Sequence, residues 1–162
     1  MIRPIRPTDA AGLREGFARL GLRSRRLRFL GAKHTLSDAE VAYLTDVDHD
    51  EHEALVAVET TAHIGIGVAR FIRDPLVPEV ADVAVTVVDE WQGQGVGSEL
   101  LRQLTDVAGC RGVRRFTALV SIENIAMRRM LARMAGDVEL VGREADTLSY
   151  EITVQRPLEP CA

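Results

Sequence analysis

Val85-Thr86-Val87-Val88-Asp89-Glu90-Trp91-Gln92-Gly93-Gln94-Gly95-Val96-Gly97-Ser98 is the stretch that decides the fold. A β-branched run enters a turn carrying three glycines, and Leu100, Leu101, Leu104 and Val107 then recur at helical spacing. A strand therefore passes into a helix through a glycine-rich turn. The first N–H groups of a helix have no partner within it, and the aligned peptide dipoles add partial positive charge there. Glycines keep side chains out of the way, so a ligand's phosphates can approach the backbone. The turn lacks the Lys-Ser/Thr ending of the nucleoside-triphosphate loop. A dinucleotide site expects Gly-x-Gly-x-x-Gly and an acidic residue about 20 residues further on; here the spacing is Gly-x-Gly-x-Gly, and Arg114 and Arg115 stand where that strand begins.

Upstream of the turn, residues 54–59, 64–72 and 80–88 are rich in β-branched residues and read as three strands separated by turns. Before them, residues 46–53 form an acidic stretch that reads as a loop. Ser37 caps a helix carrying Val41 and Leu44, and residues 23–28 form a short basic helix. Thr8 or Asp9 caps a helix with Leu13, Phe17 and Leu20 on its apolar face. Residues 2–5 read as an edge strand, because Pro4 withholds a backbone donor. Downstream, 115–120 is a strand and 124–135 a helix bearing Met127, Met130, Leu131 and Met134. Two strands close the chain, the last with Leu148, Tyr150, Ile152 and Val154 in alternation. This order predicts an α+β or mixed α/β fold, one domain over residues 1–155 and a tail over 156–162.

Length and composition agree with that reading. A chain of 162 residues, 46% apolar and 27% charged, can bury one core. A net charge of −4 argues against nucleic acid as the main partner. No apolar run approaches the roughly 20 residues of a membrane helix, and the N-terminus lacks a secretory core, so a cytoplasmic protein is expected. Cys110 and Cys161 are too few for a disulfide framework or a zinc site. His49 and His52 sit among five carboxylates over residues 46–53, but without an ordered ligand spacing, and no metal is expected.

Gln92-x-x-Gly95-x-Gly97 resembles the coenzyme A pyrophosphate motif of the GNAT acetyltransferase superfamily, and Asn124 matches the asparagine that opens its next helix. The resemblance runs from residue 3 to 136. Residues 3–9, Leu27-Arg28-Phe29, Leu36-Ser37, Val47-Asp48, Ala81-Asp82-Val83-Ala84 and Trp91-Gln92-Gly93 resemble the bacterial protein-lysine acetyltransferase branch, whose domain also occurs fused to acyl-CoA synthetase-like subunits. The resemblance implies acetyl-CoA as co-substrate and a central sheet that splays open between the strand at 83–88 and the one at 116–120. It implies that the backbone of Val87 and Val88 bonds the pantetheine arm. The amides of Gly93, Gln94, Gly95, Val96, Gly97 and Ser98 would hold the pyrophosphate, and an amide near Thr86 would face the thioester oxygen. The implied acceptor is a protein with an exposed lysine, and a homodimer is among the expected assemblies.

An amine of pKa about 10.4 must lose a proton before it attacks a thioester, and a carboxylate within reach is the usual agent. The branch places a glutamate where this chain has Asp82, which makes Asp82 the candidate base and Glu79 the reserve. Leu131 occupies the position at which many members of the superfamily carry a tyrosine to protonate the leaving thiolate; Tyr150 is a distant alternative. Two other readings stay open: acetylation of a small amine, and a coenzyme A sensor with little catalysis. The arginines at 23, 25, 26 and 28 suggest an acceptor surface for an acidic protein.

Overall fold

A computed structural model of the chain describes residues 1–134 and 138–155. Strand β1 (Ile2–Pro4) leads to α1 (Ala10–Ala18), α2 (Leu22–Phe29) and α3 (Asp38–Thr45). A meander of β2 (His52–Val58), β3 (Gly65–Arg73) and β4 (Val80–Val87) follows. The chain continues through α4 (Val96–Cys110), β5 (Arg115–Ser121), α5 (Ile125–Leu131), β6 (Val138–Glu144) and β7 (Thr147–Thr153). The seven strands form one sheet in the order β1-β2-β3-β4-β5-β7-β6. Every neighbouring pair is antiparallel except β4 and β5. This is the mixed α/β architecture expected, with β1 on the edge where Pro4 costs no ladder bond.

Helices cover both faces. On one, Leu100, Leu101, Leu104 and Ala108 of α4 pack with Leu55, Ala69, Phe71, Ala81 and Phe116, all buried, and Leu131 of α5 joins them. On the other, Phe17, Leu20, Leu36 and Val41 make the cluster of α1 and α3, while Val56 and Val58 cover that face of β2. All seven residues of β2 are buried, as a central strand covered on both faces requires. Ser37 caps α3 reciprocally with Glu40, accepting from Glu40 N at 3.2 Å while Ser37 N donates to Glu40 Oε2 at 2.8 Å. Among the described residues no helix is long and apolar enough to cross a membrane.

Several boundaries differ from the sequence reading. Asp9 precedes α1 but makes no side-chain cap; its carboxylate accepts from the Arg3 guanidinium and from Arg6 N instead. Helix α5 ends at Leu131, and the expected end at Ala135 and the tail 156–162 lie outside the described residues. Cys110 ends α4 in an exposed position. The stretch expected as an acidic loop enters β2 at His52, and Glu53 is buried. Its charge is compensated by Arg111, and Ala54 N donates to Glu53 Oε1 at 2.8 Å.

His52 yields a testable consequence. Burial first, then the charge of Arg70, hold the imidazole down to about 4, against weaker opposing pulls from Asp48 and Glu53. The unfolded chain takes up a proton near 6.5. Stability from neutral His52 is therefore present above that pH and is lost as pH falls towards 4. Replacing His52 by Gln should remove a loss on the order of 2 kcal/mol between those pH values, read as a flatter urea midpoint against pH. An unchanged pH slope in the variant would show that His52 titrates normally in the fold.

Candidate active site

The parallel contact between β4 and β5 is short: Val80 faces Arg115, Ala81 faces Phe116 and Asp82 faces Thr117. Beyond those pairs both strands continue, β4 to Val87 and β5 to Ser121, without bonding to each other. The sheet opens there into a cavity of about 650 Å³. Its walls are residues 83–87 of β4 and 118–120 of β5, its mouth the glycine-rich turn, and its far side α5. The expected splay is present, and it begins after Asp82 and Thr117.

Gly93 and Gly95 take positive φ, 74° and 84°, and a Cβ at either would meet only open space. Gly95 is the residue from which α4 starts. The N–H groups of residues 93–98 make no backbone or side-chain hydrogen bond among the described residues, as the first turn of a helix implies. Gly93, Gly95, Gly97 and Ser98 line the cavity; Gln94 does not, its side chain donating to Glu90 O at 2.8 Å. Gln92 lines it and braces the turn, donating to Val87 O at 3.0 Å and Ser24 Oγ at 3.3 Å. Thr86 and Val87 lie on its wall. Val88 does not: its N–H donates to Ile66 O and its carbonyl accepts from Trp91 N, so it has no amide to offer a ligand.

Asn124 caps α5, its side chain accepting from Met127 N at 3.0 Å, and it reaches the cavity together with Met127 and Met130. Arg129 and Arg133 line the same wall, exposed and without an ion pair among the described residues, and the sequence reading passed over both. Arg129 lies in the last turn of α5 and Arg133 just beyond its end; their spacing of four in the sequence was the available signal. Leu131 is 1% exposed and belongs to the core, so no proton donor stands there. Tyr150 pairs with Ala118 across β5 and β7, packs against the core and lines neither cavity described here.

Helix α2 roofs the opening. Arg26 pairs with Glu123, and Arg23 donates to Glu123 O at 3.2 Å, tying α2 to the start of α5. Arg25 donates to the carbonyls of Ala18, Leu20 and His34 and lies over the Phe17 ring at 4.5 Å. Three of the four arginines expected to face a partner are thus engaged within the chain. On the opposite face of β4 a second cavity of about 260 Å³ lies between the sheet and α1, sharing Thr86 and Arg28 with the first. Asp82 sits on the last paired rung, exposed, its carboxylate accepting from the Thr117 hydroxyl, and it too lines neither cavity. Glu79 precedes β4, exposed, and lines neither cavity.

A sheet parted between two parallel strands, with unpaired amides of a helix start at its mouth, defines an acetyltransferase type of fold. The chain belongs to the GNAT acetyltransferase family, whose domain model matches residues 1–135. It is 32% identical over 164 residues to acetyltransferase Pat of Mycolicibacterium smegmatis, covering 98% of this chain and 48% of that one. It is 34% identical over 130 residues to an acetyltransferase of Pseudomonas aeruginosa, covering 79% of this chain and 69% of the relative. The crystal structure of the GNAT domain of S. lividans PAT superposes with a TM-score of 0.86 at 28% identity, covering 94% of this chain and 89% of that domain. The chain spans about half the length of the mycobacterial relative.

Proposed function

We propose that this chain transfers acetyl from acetyl-CoA to a primary amine, with a protein lysine as acceptor, through one acetyltransferase domain over residues 1–155. The observation that carries the reading is the set of unpaired amides over residues 93–98 at the mouth of the parted sheet. Such donors suit a pyrophosphate, and the glycines at 93 and 95 leave it room. Arg129 and Arg133 supply cationic charge for the remaining phosphate, and Thr86 and Val87 line the path of the pantetheine arm. Acetyl-CoA supplies the activated acetyl group, and Asp82 is the group that takes the proton from the acceptor amine. The protein-lysine acceptor rests on similarity to Pat and to the S. lividans domain. Residence in the cytoplasm and assembly as a homodimer belong to the same proposal.

The direct test is incubation with labelled acetyl-CoA and a bacterial lysate, followed by mapping of acetyl-lysine. Labelled lysines that vanish when the chain is omitted are the expected outcome. Efficient acetylation of spermine or an aminoglycoside, with no protein labelled, would replace the protein acceptor by a small amine. Binding of acetyl-CoA with no acceptor of any kind would favour a coenzyme A sensor.

A further inference from the structure

We propose that Arg28 and Arg70 form a subsite for a carboxylate carried by the amine acceptor, in the smaller cavity beside β4. The identification of the ligand as the acceptor rests on the acetyl-transfer reading above; the anion subsite itself rests on the cavity. That cavity is lined largely by apolar side chains, Phe17, Leu20, Val56 and Val68 among them. Its ionisable lining groups are Arg3, Asp9, Arg28, His63 and Arg70. Asp9 is the one carboxylate, and both of its oxygens are taken by Arg3, at 2.7 and 2.8 Å.

The two remaining guanidiniums have no anion among the described residues. Arg70 is 5% exposed; it donates to Leu44 O at 3.2 Å and meets His52 Nε2 at 2.9 Å, an imidazole that is neutral at neutral pH. Arg28 is half-buried and makes no hydrogen bond or ion pair among the described residues; its guanidinium lies 5.2 Å from the Phe29 ring. Burial lowers the pKa of Arg28, and burial followed by the charge of Arg28 brings Arg70 down to about 10. Cations withdrawn from water are costly unless an anion meets them. A carboxylate is planar, suits the guanidinium fork, and leaves less charge to desolvate than a phosphate dianion.

The position assigns this anion to the acceptor. Arg28 and Thr86 border both cavities, so a ligand here lies next to the opening in which the thioester would sit. About 260 Å³ admits a carboxylate on a short aliphatic stem, not a coenzyme. Two nearby cations also favour the neutral form of an amine, which is the form that attacks. The carboxylate can come from an acidic residue beside the target lysine or from a free amino-acid-like amine.

The test pairs acceptors that differ by one carboxylate. With wild-type protein, ε-aminocaproate should exceed n-hexylamine in kcat/KM by about ten- to a hundredfold, the range of a charge-assisted contact. Arg28→Gln should bring that ratio towards one, and Arg28→Lys should keep part of it. A peptide pair with Lys-Glu and Lys-Gln separates the sources, since an acidic-neighbour site prefers the first and a free-amine site prefers ε-aminocaproate to either. Calorimetry of caproate against n-hexanol on protein saturated with coenzyme A reads the subsite without turnover. Caproate binding that is lost in Arg28→Gln, with no amine acetylated, would keep the subsite and overturn acetyl transfer. Turnover with no carboxylate preference, or a preference unchanged in Arg28→Gln, would overturn the subsite and leave acetyl transfer standing.

Discussion

Gly95→Asp should weaken acetyl-CoA binding by roughly 10- to 150-fold, the loss of one charge-assisted contact of about 1.5–3 kcal/mol, without unfolding the chain. Gly95 stands at φ 84° at the start of α4, beside amides that no group of the described chain uses. Any side chain at this left-handed φ is strained, aspartate less than most, so the strain falls on the turn and not on the core. Its carboxylate would stand beside the N–H groups at the start of α4 that a pyrophosphate needs. The substitution therefore adds a like charge beside the pyrophosphate and puts a side chain in its path. Gly95→Ala is the control: a methyl there meets open space, so it brings backbone strain without charge and should cost far less affinity. Calorimetry with acetyl-CoA, alongside circular dichroism, measures both. Equal affinity for wild type and Gly95→Asp would remove the turn from the binding site.

The contrast between that turn and the rest of the site shows what a sequence carries. Strand β4, the glycines and the stripe of Leu100, Leu101 and Leu104 on α4 were legible because each is a local pattern. Ser37 and Glu40 were half legible in the same way: the cap was read from Ser37 alone, and the reciprocal bond from Glu40 emerged in the fold. The start of β2 was not, since His52 and Glu53 read as solvated charge until Arg70 and Arg111 are brought beside them from β3 and from the end of α4. Long-range pairing overrode local polarity there.

The parting of β4 and β5 was expected through family resemblance alone. Neither strand carries a residue pattern that says where pairing stops after Asp82 and Thr117. The arginines of α2 show the same limit from the other side. As a run of charge they read as one surface, yet Arg25 is spent on three carbonyls, Arg23 and Arg26 on Glu123, and only Arg28 is left without a partner among the described residues. Replacing Arg23, Arg25 and Arg26 together would therefore disturb the roof of the cavity, and would not isolate acceptor recognition.

Asp82→Asn should reduce turnover by about 10²–10⁴-fold, the usual size of a general-base contribution, while acetyl-CoA affinity stays within about twofold, as loss of a purely chemical role requires. Asp82 occupies the last rung before the sheet parts, and its partner Thr117 sits at the same point of β5. Ala84, on the cavity wall, is two residues further along β4, about 7 Å at the rise of a strand. On the proposed base role of Asp82, a bridging water carries the proton across that distance. The Thr117 hydroxyl fixes one carboxylate oxygen, and an asparagine oxygen can accept the same bond, so the variant tests charge rather than architecture. The side of the pH–rate profile on which activity falls with acid should flatten in Asp82→Asn. Asp82→Glu, which keeps the carboxylate on a side chain one methylene longer, should retain activity. Glu79 is one rung before the paired segment, its backbone carbonyl bonded by the N–H groups of Arg114 and Arg115, and its side chain reaches neither cavity. Glu79→Gln should leave kcat within about twofold of wild type. Near-wild-type turnover by Asp82→Asn across the whole pH range would take the base role away from this carboxylate, and a matching loss in Glu79→Gln would hand it to the other.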